Sequence, residues 1–170
     1  LHARIALTDL DGRLLAEFSE PRDIADGPES AIEWILRSSH RLLEDAGISV
    51  GQVTGIGVGV PGPVEYSTGR PINPPIMPGW DRYDIPAALG AEIDAPVFVD
   101  NDVNIMALGE QTSSWPGVTD IMFIKVASGI GAGVISGGRL QRGAHEAAGD
   151  IGHVALARAA DTPCPCGNRG

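Results

Sequence analysis

A histidine and two cysteines near the carboxyl end of the chain have the residue types of a metal site. His153 is followed by Cys164 and Cys166, and the two cysteines flank a single proline in the run Cys-Pro-Cys-Gly. Proline fixes one backbone angle and glycine permits a reversal, so this run can aim both sulfurs at one point. Imidazole and thiolate are zinc ligands, and structural zinc sites are usually four-coordinate. The pattern predicts three of the four ligands of a zinc site.

A second interpretation of the same residues needs no metal. The cysteines are then buried thiols or a disulfide, beside a histidine whose hydrogen bonds are satisfied. Cysteines one residue apart rarely bridge each other, because disulfide geometry is demanding. The residue types therefore favour a metal site. Two cysteines in 170 residues are also typical of a reducing compartment, and we expect a cytoplasmic protein.

Carboxylates at two places have the chemistry to bind hydroxyl groups. Asp100, Asn101 and Asp102 follow a predicted strand and begin a predicted helix, and ligands gather at the carboxyl ends of strands in open α/β sheets. Asn101 offers both a donor and an acceptor suited to a sugar hydroxyl. An acid at a helix start is also a good N-cap, so one aspartate can serve the helix instead. Asp150, shortly before His153, either orients that histidine or binds a hydroxyl.

Glycines form a third candidate site, in a turn that the sequence predicts between two strands at residues 128–133. Glycine lets backbone amides approach an anion, so the amides of Gly129 and Gly131 and the hydroxyl of Ser128 can cradle a phosphate. The run matches neither the dinucleotide-binding pattern nor a P-loop with its lysine. The alternative is an ordinary hairpin turn.

Hydrophobic periodicity predicts the elements that position these residues. Strands are predicted at residues 3–9, 14–18, 53–60, 97–99, 121–126 and 131–136, and helices at 28–46, 85–93 and 103–111. Residues 65–83 are rich in proline and are predicted to cross the surface as an ordered loop. Helices that alternate with strands after an early hairpin indicate an α/β fold with a mixed sheet. The break at 115–117 is the predicted domain boundary.

Charge and composition exclude several classes of function. The chain has 12 basic and 22 acidic residues, a net charge of −10, and its basic residues form no cluster. This argues against nucleic-acid binding by this segment. No apolar run is long enough to span a membrane, and neither end has the pattern of a signal peptide. The chain starts on Leu1 and ends within a cysteine motif, so we expect it to be part of a longer protein, truncated at both ends.

Six motifs, in this order, resemble those of one family, the ROK family of bacterial sugar kinases and sugar-responsive transcriptional repressors. They are GVGVPGPV, PPIMPGW, VDNDVNIMALGE, ASGIGAGV, RGAHEAAGDIGH and CPCGNRG. The resemblance covers essentially the whole chain. It implies the actin-like, ribonuclease-H-like α/β fold, with two lobes and a sugar cleft between them. Residues 1–116 would form the N-terminal lobe without its first strand and phosphate loop, and 117–170 the beginning of the C-terminal lobe.

The resemblance also implies roles for individual residues. In a kinase Asp102 would be the base on the sugar hydroxyl that attacks ATP, with magnesium present. Sugar would be bound by Gly62, Asn101, Asp102, Asp150 and His153, and phosphate by Ser128, Gly129 and Gly131. Zinc would be held by His153, Cys164, Cys166 and a third cysteine directly after Gly170. Family members are commonly dimers or tetramers, so a homodimer or homotetramer is expected.

Departures from the kinase pattern favour the repressor branch. Asp150 replaces the usual glutamate, Ala127 opens the loop that is typically Gly-Thr-Gly, and Ile76 replaces an amide. Phosphoryl transfer depends on positioned phosphates and magnesium, so a degraded phosphate loop argues against it. The sequence therefore predicts the sugar-sensing domain of a repressor, with a DNA-binding domain upstream that contacts the operator. The alternatives are an ATP-dependent kinase for a hexose or amino sugar, and a zinc-stabilised scaffold with a vestigial cleft.

Overall fold

The computed structural model describes residues 2–127, 129–156, 161–164 and 166–169. Its strands are β1 His2–Thr8, β2 Leu14–Pro21, β3 Ile56–Val60, β4 Val64–Glu65, β5 Arg70–Pro71, β6 Val97–Asn101, β7 Ile121–Val126, β8 Ile130–Ser136 and β9 Arg139–Gln141. Its α-helices are α1 Pro28–Asp45, α2 Ile85–Gly90 and α3 Asp102–Ser113. Short 3-10 helices lie at Ile24–Asp26, Val50–Gln52 and Ile151–His153.

The chain opens with the predicted hairpin, in which β1 and β2 pair antiparallel from His2 opposite Pro21 to Thr8 opposite Leu14. Its turn is stabilised by Asp9, whose Oδ1 accepts the backbone amides of Asp11 at 3.0 Å and Arg13 at 2.8 Å. A short acidic side chain that bonds its own turn in this way explains why the reversal falls here. The return strand continues past the predicted residue 18 to Pro21.

Helix α1 begins at the predicted Pro28, where the missing N–H of proline costs nothing. The buried residues of its apolar face include Ile32, Trp34, Leu42 and Leu43. Ile32 belongs to the core that lies on the sheet formed by β3 and β6. These two strands pair in parallel, with Ile56 opposite Val97 and Val60 opposite Asn101. The parallel register brings the carboxyl ends of both strands, and the residues that follow them, to one edge.

The proline-rich segment is ordered, as predicted, and contributes to the core. Met77 and Trp80 are buried in it, and the indole Nε1 of Trp80 donates to the carbonyl of Ile24 at 3.2 Å. The segment also contains one short antiparallel pair, β4 with β5, that the sequence did not predict. Helix α2 ends at Gly90, earlier than the predicted residue 93.

A second sheet of three antiparallel strands, in the order β7-β8-β9, follows α3. The turn between β7 and β8 is shorter than the predicted 128–133, because Ile130 already begins β8. Gly131 and Gly133 therefore lie within a strand. The reason is packing: a Cβ on Gly133 would lie 2.5 Å from the Cβ of Ala107, so α3 approaches the sheet over this glycine. Gly137 and Gly138 turn into β9, a strand that was not predicted.

Helix α3 packs mainly against this second sheet, although it precedes the predicted boundary at residue 116. The division into lobes at 116 and 117 stays a prediction. A cavity of about 1540 Å³ is lined by residues of β1, β3 and α1, among others. Across the described ranges, no helix is both long and apolar enough to cross a membrane.

Candidate functional site

The turn from β6 into α3 carries the first half of the site. Asn101, rather than an aspartate, is the N-cap of α3: its Oδ1 accepts the amide of Val103 at 2.9 Å. Its Nδ2 donates to the carbonyl of Gly62 at 3.0 Å. The prediction that an acid caps this helix is therefore wrong, because the amide side chain can both cap α3 and bond the loop after β3. Gly62 and Asn101 are thereby brought together.

Asp102, the first residue of α3, faces a lysine that belongs to none of the candidate sites predicted from the sequence. The Nζ of Lys125, on β7, donates to Oδ2 of Asp102 at 2.6 Å, and the two side chains are 28% and 21% exposed. A signal for Lys125 was present in the sequence. It is the only lysine in the chain, and it stands in the otherwise apolar run IMFIKV.

Asp100 is the buried acid of the three-residue run and is 6% exposed. Its Oδ2 accepts Nε of Arg142 at 3.1 Å and Nη2 at 2.5 Å. Its Oδ1 accepts the backbone amide of Asn101 at 2.8 Å and Nδ2 of Asn104 at 2.7 Å. A buried charge needs such partners, because desolvation of an unpaired carboxylate is costly. Asp100 thus stabilises the turn through its hydrogen bonds to Asn101 and Asn104.

The second half of the site lies on the loop that follows β9. Gly149 and Gly152 place this loop directly on β8, since a Cβ at either position would lie 1.7 Å from the oxygen of Ala132 or 2.1 Å from that of Ile130. The amide of Ala132 also donates to the carbonyl of Gly149 at 2.8 Å. The glycines of the GDIGH run are thus required by a close backbone approach, which fixes the position of Asp150 between them.

Asp150 precedes the 3-10 helix Ile151–His153. The residue is exposed to solvent. Partial desolvation nevertheless raises the pKa of its carboxyl group above the usual value, and the charge of nearby His153 partly offsets this increase. A carboxyl group at this position can hydrogen-bond a hydroxyl group of a bound ligand.

His153, Cys164 and Cys166 come together as the sequence predicted. Their ligand atoms lie within 4.8 Å of one another, with 3.4 Å from Cys164 Sγ to His153 Nδ1 and 3.3 Å between the two sulfurs. The cysteines are free thiols, since a disulfide would need about 2.05 Å. Two ligands each about 2.3 Å from a tetrahedral zinc lie roughly 3.8 Å apart. The nitrogen and sulfur donors are therefore of the types that bind zinc, and the two sulfurs lie within about 0.5 Å of the separation that a tetrahedral site needs.

The thiol of Cys166 has a lowered pKa. The pKa of this thiol is lowered to about 7, mainly by a hydrogen bond from the backbone of Asn168 and to a smaller extent by one with Cys164. Since thiolate is the form that binds metal, a lowered pKa favours the ligand state.

The predicted phosphate-binding residues are only partly described. Ser128 lies outside the described residues. Gly129 lies in the turn between β7 and β8, where its carbonyl accepts the amide of Ala127 at 2.9 Å. Gly131, in β8, packs beneath α3, with its ideal Cβ position 3.2 Å from Cγ2 of Val103.

One cavity of about 1540 Å³ joins the candidate residues of both halves of the site. It is lined by Gly62, Asn101, Asp102, Lys125, Gly129, Gly131, Asp150, His153, Cys164 and Cys166, among others. Carboxylates, an amide and a lysine that converge on one cavity are typical of a site for a polar small molecule.

Comparison with known proteins identifies the family. The model of the ROK family matches residues 1–170. The chain belongs to the ROK family. ROK proteins have the actin-like ATPase fold, so the predicted α/β fold class is confirmed.

Relatives within the ROK family include both an enzyme and a regulator. A glucokinase of Halalkalibacterium halodurans is 31% identical over 98% of the chain and 51% of its own length. A xylose repressor of Caldicellulosiruptor bescii is 29% identical over 99% of the chain and 42% of its own length. The chain thus spans about half the length of these curated relatives.

A solved structure supports the same assignment. The ROK glucokinase of Streptomyces griseus, in complex with glucose and AMPPNP, has a TM-score of 0.77 and 25% identity, over 99% of the chain and 52% of that protein. The chain is therefore a ROK protein whose relatives include both repressors and glucokinases.

Proposed function

We propose that this chain is the sugar-sensing part of a ROK transcriptional repressor, with operator DNA bound by a domain outside these residues. The observation that carries the proposal is the ion pair of Asp102 with Lys125, at 2.6 Å. A catalytic base must lie within hydrogen-bond reach of the hydroxyl that it deprotonates. The lysine ammonium occupies one oxygen of the carboxylate and neutralises its charge, which suits a binding group better than a base.

The phosphate side of the cavity supports the same proposal. Catalysis of phosphoryl transfer is almost entirely a matter of positioning phosphates and metal and of stabilising the developing charge. The loop after β7 begins with Ala127, where ROK kinases typically carry glycine. Gly131 is committed to packing against Val103. These features favour a cleft that binds a sugar without transferring phosphate to it.

The proposed ligand is a sugar or sugar derivative, held from both sides of the cavity. Asp102 and Asp150 supply acceptors for sugar hydroxyls, and Asn101 holds the loop at Gly62 in place through its 3.0 Å hydrogen bond. Binding to one arrangement of these two halves more tightly than to another would shift the population of conformations and change operator affinity. Assembly as a homodimer or homotetramer is part of this proposal.

We also assign zinc to His153, Cys164 and Cys166, with a fourth ligand beyond Gly170. The close spacing of their nitrogen and sulfur atoms supports this assignment. When bound, zinc would be structural and would fix the 3-10 helix Ile151–His153. Because Asp150 immediately precedes that helix, the same ligands would hold its carboxylate in position.

A ROK sugar kinase is the second candidate, favoured by the presence of both Asn101 and Asp102 at the helix start and by the 31% identity to a glucokinase. Thermal unfolding of the full-length protein with a panel of hexoses and amino sugars tests the first proposal. We expect at least one sugar to raise the melting temperature equally with and without ATP and magnesium. Stabilisation that requires the nucleotide, or no stabilisation by any sugar, would count against it.

A further inference from the structure

We propose that Arg142 is a positioning residue that ties the two halves of the sugar site together. The first half is the turn Asp100 to Asp102, and the second is the loop of residues 143–150, which ends at Asp150. The inference rests on the proposed function, because it concerns the geometry of that same site. We call Arg142, Asp100 and Tyr66 the arginine clamp.

The clamp joins parts of the chain that are distant in sequence. Arg142 follows β9 of the second sheet, whereas Asp100 lies at the end of β6 in the parallel sheet. The guanidinium donates from Nε at 3.1 Å and from Nη2 at 2.5 Å to Oδ2 of Asp100. It also stacks on the ring of Tyr66, whose centroid lies 3.6 Å from the guanidinium carbon. A planar cation that both stacks and donates in this way cannot be replaced by an ammonium.

The clamp reaches the first half of the site through Asp100. The remaining oxygen of Asp100 accepts the backbone amide of Asn101 at 2.8 Å. Asn101 then caps α3 through Val103. The orientation of the Asp100 carboxylate therefore sets the turn from which Asp102 projects.

The clamp reaches the second half through the backbone of Arg142. Its carbonyl accepts the amide of Ala148 at 3.0 Å, which closes the intervening loop. Gly149, the next residue, lies directly on β8. Arg142 thus fixes the start of the loop that carries Asp150. Through Asp100 it also holds the turn that carries Asp102. A purely stabilising role would not require both connections, and buried ion pairs are by themselves weak evidence of stability.

Hydrogen exchange of the full-length protein tests the clamp without a sugar. In Arg142→Lys we expect the amides of Val103 and Ala148 to exchange about tenfold faster, while those of β7 change less than about twofold. Arg139→Lys, at an exposed position of β9, is the matched control and should change neither amide. Faster exchange throughout the chain, or at only one of the two amides, would overturn the proposal.

Chemical rescue tests whether the planar shape of the guanidinium, and not only its positive charge, is required. In Arg142→Ala, millimolar methylguanidinium should restore protection at both amides, and methylammonium should not. Equal rescue by the two cations would overturn the claim that the planar group is required. For any sugar that binds the unaltered protein, the dissociation constant should be about tenfold higher in Arg142→Lys. In Arg142→Ala, methylguanidinium should lower the dissociation constant at the same concentrations at which it restores protection from exchange. If no sugar binds the unaltered protein, the proposed function fails, and the exchange data still decide whether Arg142 ties the two segments.

Discussion

Gly149→Ala should impair sugar binding much more than folding. A Cβ at this position would lie 1.7 Å from the carbonyl oxygen of Ala132, whereas non-bonded atoms are optimally about 3.5 Å apart. The loop must therefore retreat by roughly 1.8 Å. The 2.8 Å hydrogen bond from Ala132 to Gly149 would then be lost.

The cost of this change follows from its two parts. A lost hydrogen bond contributes about 1 kcal/mol and overpacking about 1–3 kcal/mol, so we expect a destabilisation of about 2–4 kcal/mol. A domain stable by roughly 5–15 kcal/mol remains folded. Asp150, the next residue, moves with the loop, and a displacement of about 1 Å in such a site can cost roughly a hundredfold in function. We expect sugar affinity to fall by about that factor.

Urea unfolding and calorimetric titration of the full-length protein measure the two effects. The matched control is Gly109→Ala, because Gly109 is in α3 and its Cβ position has no atom within 4 Å. That variant should be stabilised by up to about 1 kcal/mol and should bind sugar normally. If Gly149→Ala bound sugar within threefold of the unaltered protein, the account of how this loop holds Asp150 would be refuted.

Three further changes test other parts of the structure. Lys125→Met frees one oxygen of Asp102, so titration should show sugar binding about tenfold tighter, and weaker binding would mean that the lysine itself contacts the ligand. Asp84→Ala removes the N-cap of α2 and should cost about 1 kcal/mol in urea unfolding at pH 7. The hydrogen bond from the amide of Ala87 and, to a smaller extent, that from the guanidinium of Arg70 lower the pKa of Asp84. The stabilisation that Asp84 provides should therefore be present above its unfolded-state pKa of about 4 and be lost as the pH falls through its lower folded-state pKa. A difference in stability between the two proteins that did not change with pH would contradict this. Metal analysis of the full-length protein should find about one zinc per chain, reduced in Cys164→Ser, and metal-free protein with an intact cleft would exclude the zinc assignment.

Local patterns were sufficient to predict most of the elements. Helix α1 was predicted because its apolar residues recur at helical spacing after Pro28, and the Cys-Pro-Cys run predicted a cluster that the structure forms with His153. Strand β9 was missed because three residues are too few for periodicity to register. Gly131 was placed both in the turn at 128–133 and at the start of the strand at 131–136, because a glycine under a helix looks the same in sequence as a glycine in a turn.

The pairings that build the site could not be predicted from the sequence. Lys125 lies 23 residues from Asp102 and Arg142 lies 42 residues from Asp100, so only the fold shows which charges meet. Asn101 illustrates a subtler limit. Aspartate and asparagine are both good caps, and the choice between them depends on the carbonyl of Gly62, which only asparagine can reach with a donor.

Sugar-dependent release of ADP tests the central claim most directly. The full-length protein would be incubated with ATP, magnesium and each sugar that raises its melting temperature, beside the Asp102→Asn variant. We predict binding without turnover, so that ADP release is the same with and without sugar and the same in both proteins. Sugar-dependent ADP release that is abolished in Asp102→Asn would contradict the account and identify the protein as a kinase.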